Sequence, residues 1–558
     1  MLIPLGIAFI VALCTSTFVA LTLTPVLCSY LLGGNKQTGL PKEAFVAVWL
    51  KKYYNIALEW ALNHKKGVLG GTVTLFVAAL ICFFTLGRSF LPSFNEGSLT
   101  INITSLPGIS LEESDNLGRR AEELLLTIPE IKTVARKTGR AELDEHLRGV
   151  NGSEIEAPYE LQDRSRHEML EEVRHKLSTL TGANIEIGQP ISHRIDAMLS
   201  GTKAGIAIKL FGDDLNTMYM YANRIKDAIS SVEGIADLNV EQQIERPQLK
   251  IVPKREMLAR YGITLPQFAD FVSVNLAGAT VSQVYEQSKV FNLVVRAQED
   301  TRSSMDRIQD LMIDTDSGER IPISYVADIT SAMGPNAISR ENVKRKIVIS
   351  ANTTDRDLRS AVNEISERID KEIKLPEGYY IEFGGQFESE QAASRTLLLT
   401  SIISIVVIFL LLYVQFKNAI HSGIILMNLP FALIGGVFVL MFSSGEISIP
   451  AIIGFISLFG IATRNGMLLI SHYNDLMTQG NSLKESIIQG SLDRLNPILM
   501  TALTSALALI PLALNGDLPG NEIQSPMAKV ILGGLLTSTL LNAFVIPIVY
   551  ELINRKKK

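Results

Sequence analysis

Thr396-Leu-Leu-Leu-Thr-Ser-Ile-Ile-Ser-Ile-Val-Val-Ile-Phe-Leu-Leu-Leu-Tyr-Val-Gln415 is a run of twenty residues without a charge. At 1.5 Å of rise per residue a helix of this length crosses the hydrocarbon core of a bilayer, which is about 30 Å thick. Outward from it the chain divides in two. Downstream, 419–442, 448–473, 496–514 and 527–551 are similarly apolar; far upstream, so are 2–32 and 68–87. Between these clusters, residues 88–395 are polar and show mixed strand and helix periods. The pattern predicts an α-helical integral membrane protein with seven transmembrane helices and a large α+β insert. An insert between two spans lies wholly on one side of the membrane, and an odd number of spans puts the chain ends on opposite sides.

Charge follows the same division. Of 57 acidic residues 48 lie in 88–395, and of 52 basic residues 37 lie there, so the insert carries −11 and the remainder +6. A block this acidic argues against nucleic acid, whose phosphates require clustered Lys and Arg. Lys36, Lys42, Lys51, Lys52, Lys65 and Lys66 fall in the connection 33–67, Lys417 follows the third span, Lys484 and Arg494 lie in 474–495, and the tail 552–558 is basic. The loops 443–447 and 515–526 have no Lys or Arg. By the positive-inside rule the basic segments and the C-terminus are cytoplasmic, and the insert is outside. Met1 opens directly on an apolar run, without the basic region of a signal peptide. Further helices are therefore expected ahead of it, the chain being a C-terminal portion. Segment 43–63 reads as an amphipathic helix; its aromatics and lysines suit the membrane surface, and equally a connecting helix packed on the bundle.

The insert repeats a strand–helix–strand order. Ser98–Ser105, a helix near 111–128 and 132–138 form one unit. A second comprises Ile206–Phe211, a helix through 218–232, and strands 235–240 and 249–252. A third comprises 291–296, 304–311 and 321–324; a fourth, 346–351, 357–373 and 380–384. Each has the length of a ferredoxin-like split βαβ module, with helices expected on one face of mixed sheets. Gly212-Asp213-Asp214 reads either as an anion or metal loop or as a strand-to-helix turn with an N-cap.

Sites of chemistry are few. No nucleotide-binding GxxxxGK[ST], HExxH or GxSxG motif occurs, and Cys14, Cys28 and Cys82 all lie in apolar stretches. Arg464 stands near the middle of the fifth span, where a guanidinium costs about 2.5–3.5 kcal/mol on insertion scales. It should face water or pair with a carboxylate, yet no span offers a central Asp or Glu. Thr501, Thr504 and Ser505 could line the same polar path, or serve only helix packing. Sulfur and imidazole groups are scattered through the insert, with His193-Arg-Ile-Asp196-Ala-Met198 the tightest cluster and Met218 among the rest; such donors suit soft or borderline metal ions.

These segments together resemble a known family. Ala20-Leu-Thr-Leu-Thr24-Pro25-Val-Leu-Cys28, Gly87-Arg-Ser-Phe90-Leu91-Pro92, Gly384-Gly385-Gln386-Phe387-Glu388 and Arg494-Leu-Asn-Pro497-Ile-Leu-Met-Thr501 are similar to segments in the C-terminal half of resistance–nodulation–division (RND) efflux permeases. Pro190-Ile-Ser-His193-Arg194-Ile195-Asp196 with Met198-Leu-Ser-Gly201 resembles the heavy-metal branch, of copper/silver and cobalt/zinc/cadmium exporter type.

The resemblance implies a proton-driven antiporter rather than an enzyme, in the inner membrane of a Gram-negative cell, with no permanently bound cofactor and a metal ion as cargo. It implies a homotrimer working with a periplasmic adaptor, an outer-membrane channel and an N-terminal half. It divides the chain into helices 1–32 and 68–87 joined by 33–67, a first porter subdomain 88–203, a second at 204–247 and 335–395, a docking subdomain 248–334, and a five-helix bundle 396–551. Arg464, Arg494 and Thr501 match its proton relay. Met198, His193 and Asp196 are candidate metal ligands, although Gly278-Ala-Thr280-Val281 has threonine where copper exporters have methionine. Export of drugs or lipids by the same type of pump, and a sensory or scaffold ectodomain, are the alternatives.

Overall fold

The computed structural model describes the chain apart from residues 1, 33–44, 93, 107, 140–148, 193, 196–203, 244, 288, 336, 355, 517, 519 and 556–558, with backbone alone at 2–6, 8, 9, 32 and 246. Among the described residues, seven helices are long and apolar enough to cross a membrane: Ile10–Leu31, Lys65–Thr85, Gln386–Phe416, Ala419–Ser443, Ile449–Thr478, Leu483–Leu514 and Gln524–Arg555. The second starts ahead of 68 because the Lys65 ammonium is held 2.6 Å from Glu551 at the end of the last helix. It stops before 87 because Gly87–Arg88 pairs, in parallel, with Glu446–Ile447. The third starts ten residues ahead of 396. Its first turns pack on the polar domain, where buried Glu390 accepts a 2.6 Å bond from Arg359.

Three helices form the centre of the bundle. Ala419–Ser443, Ile449–Thr478 and Gln524–Arg555 are half or more buried, whereas the other four are largely uncovered. Glycines allow the central contacts: a Cβ on Gly533 would lie 2.5 Å from the Gly435 carbonyl oxygen, and one on Gly454 3.0 Å from that of Met527. Small residues at crossings are how helices gain close packing where lipid removes the hydrophobic drive. The connecting helix Phe45–Asn63 packs one face on the bundle and leaves the other open. It buries Tyr54, Leu58, Ala61 and Leu62, with Tyr54 Oη donating to Ala543 O at 2.7 Å, and leaves Trp49, Tyr53 and Trp60 exposed.

The polar block folds around two antiparallel sheets, one of four strands and one of five, whose fifth, Arg340–Glu341, is a short strand paired with the start of Lys344–Thr353. In the first, the strand order is Ala135–Thr138, Gly152–Pro158, Ser98–Ser105, Ala183–Gly188. Helices Leu111–Leu125 and Arg166–Leu177 start at the N-caps Ser110 and Ser165 and close over Leu99, Ile101, Ile103, Ile155, Met169 and Val173. In the second, the order is Ile235–Val240, Lys344–Thr353, Ile206–Phe211, Tyr380–Gly385, with helices Leu215–Ile229 and Leu358–Glu372 over Ile206, Ile208, Leu210, Ile347 and Ile349. Both have the split βαβ order. The expected mixed sheets are therefore antiparallel, and the expected second and fourth units are two halves of one module.

Between those halves the antiparallel ribbon Glu245–Pro253 with Ala327–Pro335 leads to a smaller core around Leu258, Phe268, Ile308 and Ile323. The expected third unit is not a βαβ unit. Its first strand, Lys289–Val295, pairs with Ala279–Glu286 in a hairpin exposed almost throughout, and Arg320–Pro322 pairs with Met312–Asp314 instead. Periodicity reports strands without naming their partners.

Candidate functional site

The Ile449–Thr478 helix has two unlike faces. Leu458, Ala462, Asn465, Leu469 and Tyr473 are buried in the bundle. Ser457, Gly460, Arg464, Ser471 and Asp475, spaced by three, four, seven and four residues, share the other face. Gly460, Arg464 and Asp475 are exposed, and a Cβ on Gly460 would meet nothing within 4 Å. Among the described residues Arg464 has no ion pair, so the structure supplies no carboxylate for it. Behind this face the buried amides of Asn428 and Asn542 hold unused capacity. Asn428 donates to Ala462 O at 3.3 Å while its Oδ1 has no protein partner, and neither polar atom of Asn542 has one among the described residues. Sequence reasoning passed over both; amides inside long apolar runs were the available signal.

The neighbouring Leu483–Leu514 helix carries the other expected relay residues. Thr501 Oγ1 donates to Ile498 O at 2.8 Å and Thr504 Oγ1 to Met500 O at 2.8 Å, so both hydroxyls are used on their own helix. Arg494 is half-buried, and its Nε has no protein partner among the described residues. No hydrogen bond or ion pair among the described residues links Arg464, Arg494 and Thr501. The two helices are instead joined by His472 Nε2, 3.1 Å from Asp493 Oδ2.

Outside the helical bundle, the two modules leave an open cleft of about 1060 Å³ between them, lined by Arg174 and His175 from the first and Glu233, Arg356, Glu364 and Arg368 from the second. Hydrogen bonds from Arg356 and then Arg368 hold the Glu364 carboxyl below its usual range, so it is already spent on guanidinium groups. A smaller cavity of about 320 Å³ adjoins it, bounded by Ser89, Arg166, Gln189, Ser192, Ile195 and Glu446. Burial, reinforced by the Asp357 charge, pushes the Glu446 carboxyl up. Asp357 shifts the other way. Burial alone would raise it, but Ser360 and the Arg88 N–H hold it low.

His193, Asp196 and Met198 lie outside the described residues; Ser192 and Ile195 are their described neighbours in sequence. Among the described residues no three His, Cys, Asp or Glu side chains converge as a metal site. Met218 is a core residue of the second module, and Thr280 lies in the exposed hairpin. Gly212-Asp213-Asp214 is a turn in which Asp214 caps the next helix, accepting from Thr217 N at 2.7 Å.

A polytopic helical bundle with an uncovered polar stripe, bearing two split βαβ modules on one polar insert, defines the class as the RND permease fold. The chain belongs to the AcrB/AcrD/AcrF family, which it matches over residues 1–554. It is 34% identical over 570 residues to protein HelA of Legionella pneumophila, covering all of this chain and 54% of that protein. It is 33% identical over 565 residues to the cobalt-zinc-cadmium resistance protein CzcA of Cupriavidus metallidurans, covering 99% of this chain and 53% of that one. The crystal structure of a heavy metal efflux pump superimposes with a TM-score of 0.78 at 29% identity, over 92% of this chain and 53% of that chain. The chain thus spans about half the length of the relatives it matches.

Proposed function

We propose that this chain is the C-terminal half of an inner-membrane permease that exports heavy-metal cations in exchange for protons. The carrying observation is Arg464: a guanidinium in the middle of a long apolar helix, exposed on a polar stripe and without an ion-pair partner among the described residues. A cation so placed demands carboxylates or water, and the uncovered stripe is shaped for helices that the other half would bring. Proton binding to those carboxylates would release Arg464, and its return would expel the proton. Arg494 and Thr501 stand on the adjacent helix to follow that change.

In this reading the seven helices cross the membrane with 33–67 and 552–558 in the cytoplasm and 88–395 in the periplasm. The modules 88–203 and 204–247 with 335–395 are porter subdomains whose cleft receives the cargo; His193, Asp196 and Met198, beside the smaller cavity in sequence, are its candidate ligands. Segment 248–334 is the docking subdomain. Its hairpin 279–295 exposes Val281, Tyr285, Phe291 and Leu293, and a two-stranded hairpin is marginal alone. That supports a covered position in a homotrimer assembled with an adaptor and an outer-membrane channel.

Relatives named for cobalt, zinc and cadmium resistance support metal cargo. The test is Arg464→Ala in the complete permease, with metal resistance and membrane abundance measured together. Resistance should disappear at unchanged abundance; retained resistance refutes the reading.

A further inference from the structure

The bridge between His472 and Asp493 has no role in the relay described so far, yet it joins that relay's two helices. His472 Nε2 lies 3.1 Å from Asp493 Oδ2, and Gln489 Nε2 donates to Asp493 Oδ1 at 2.8 Å, so both carboxylate oxygens are held. His472 stands eight residues past Arg464, about 12 Å along the helix, and Asp493 directly precedes Arg494. The imidazole is about one-fifth exposed and the carboxylate about two-fifths, and His472 stands six residues before the end of its helix at Thr478.

We propose that His472, oriented by Asp493, is the release group through which protons that have passed Arg464 leave the permease on the side of its C-terminal tail. This rests on the proton-driven reading above. A release group must both take and surrender a proton near neutrality, and imidazole is the side chain whose ordinary titration falls there. The other ionisable groups at this end are less suited. Asp475 and Lys484 flank the connection between the two helices, and Glu485 is engaged by the Ser482 hydroxyl at 2.7 Å. On the elements packed against the Arg464 helix stand Lys417 and His421, whose ring lies 5.6 Å from that of Tyr550, together with Arg555 and Glu551, which Lys65 neutralises.

The step is a simple proton transfer. With Nε2 turned to Asp493, Nδ1 accepts a proton from the membrane side. The imidazolium is held as an ion pair by the ionised carboxylate. Nδ1 then gives the proton to bulk water, restoring neutral imidazole and leaving Asp493 charged as before. Asp493 is a positioning residue in this scheme: it fixes which ring nitrogen is free.

The complete permease in proteoliposomes tests this, with Zn²⁺, Co²⁺ and Ni²⁺ as probes and an internal dye reporting proton flux while release-side pH is varied at constant gradient. His472→Gln should lower turnover about a hundredfold, the low side of acid–base effects, and abolish the dependence on release-side pH. Asp493→Asn should do both more weakly. The exchanged pair, His472→Asp with Asp493→His, should recover both. Wild-type turnover and pH profile in His472→Gln, beside an inactive Arg464→Ala, overturns the proposal and leaves the proton-driven reading intact. Full activity of Arg464→Ala overturns both. Loss of folded protein with an unaltered pH profile in what remains shows a purely structural bridge, and also overturns it.

Discussion

Replacing Gly533 with alanine should loosen the centre of the bundle, because the residue sits where Gln524–Arg555 crosses Asn428–Ser443. A Cβ there would stand 2.5 Å from the Gly435 carbonyl oxygen and 2.5 Å from Val439 Cγ2. Ordinary contact begins near 3.4 Å, so the helices must separate by roughly 0.5–0.9 Å. A gap of that size forfeits about a quarter to a half of each dispersion contact. It also stretches the 3.1 Å bond from Gly435 N to Thr537 Oγ1, a hydroxyl that itself donates to Phe431 O at 2.9 Å. Overpacking costs about 1–3 kcal/mol, and an interhelical hydrogen bond in a membrane bundle is worth about 0.6 kcal/mol. The expected loss is thus about 2–3 kcal/mol, offset by up to about 1 kcal/mol of helix propensity. Gly423→Ala is the control, since a Cβ there meets nothing within 4 Å. Heating detergent-solubilised protein in steps and measuring the monodisperse fraction should show Gly533→Ala failing several degrees below Gly423→Ala. Coincident curves would refute the packing argument.

Two further outcomes concern the junction between the modules and the helices. Arg359→Ala strands the buried Glu390 carboxylate, a change that costs about 3–5 kcal/mol for a fully buried pair. The lower end is expected, because Arg359 is one-third exposed and Ser394 still donates to Glu390 at 2.7 Å; adding Glu390→Gln should restore most of the thermal stability, and no restoration would exclude the pairing. Glu446, held up by burial and by Asp357, stabilises the fold when protonated. That contribution is full below the ordinary carboxylate value and lost as pH rises through the raised one. Glu446→Gln should therefore raise stability at neutral pH and flatten its fall from acid to neutral; an unchanged slope in pH-resolved melting would contradict this.

Much of the fold is legible residue by residue. Ser98–Ser105 and Ile235–Val240 are read to the residue, because period-two patterning and bounding turns are local properties. The seven apolar helices are read for the same reason. Asp214 shows how local chemistry decides between readings: its side chain reaches Thr217 N, three residues on. The limits lie where partners are remote. Ile206–Phe211 looks like the start of a new unit, yet it pairs with 344–353 and 380–385 across an inserted core. Phe291 has strand periodicity in a hairpin that the rest of the chain leaves exposed.

The site divides along the same line. Arg464 is conspicuous in the sequence because a charge within an apolar run is costly wherever the helix packs. That it faces outward, on a stripe with Gly460 and Asp475, emerges only once the buried face is known. His472 and Asp493 are 21 residues apart on different helices, and only the crossing of those helices makes them a pair. Composition and periodicity determine which segments leave water and which elements they form, since those free energies belong to single residues and their near neighbours. Pairing, register and the direction a polar group faces are decided by packing, which depends on residues far apart in the chain.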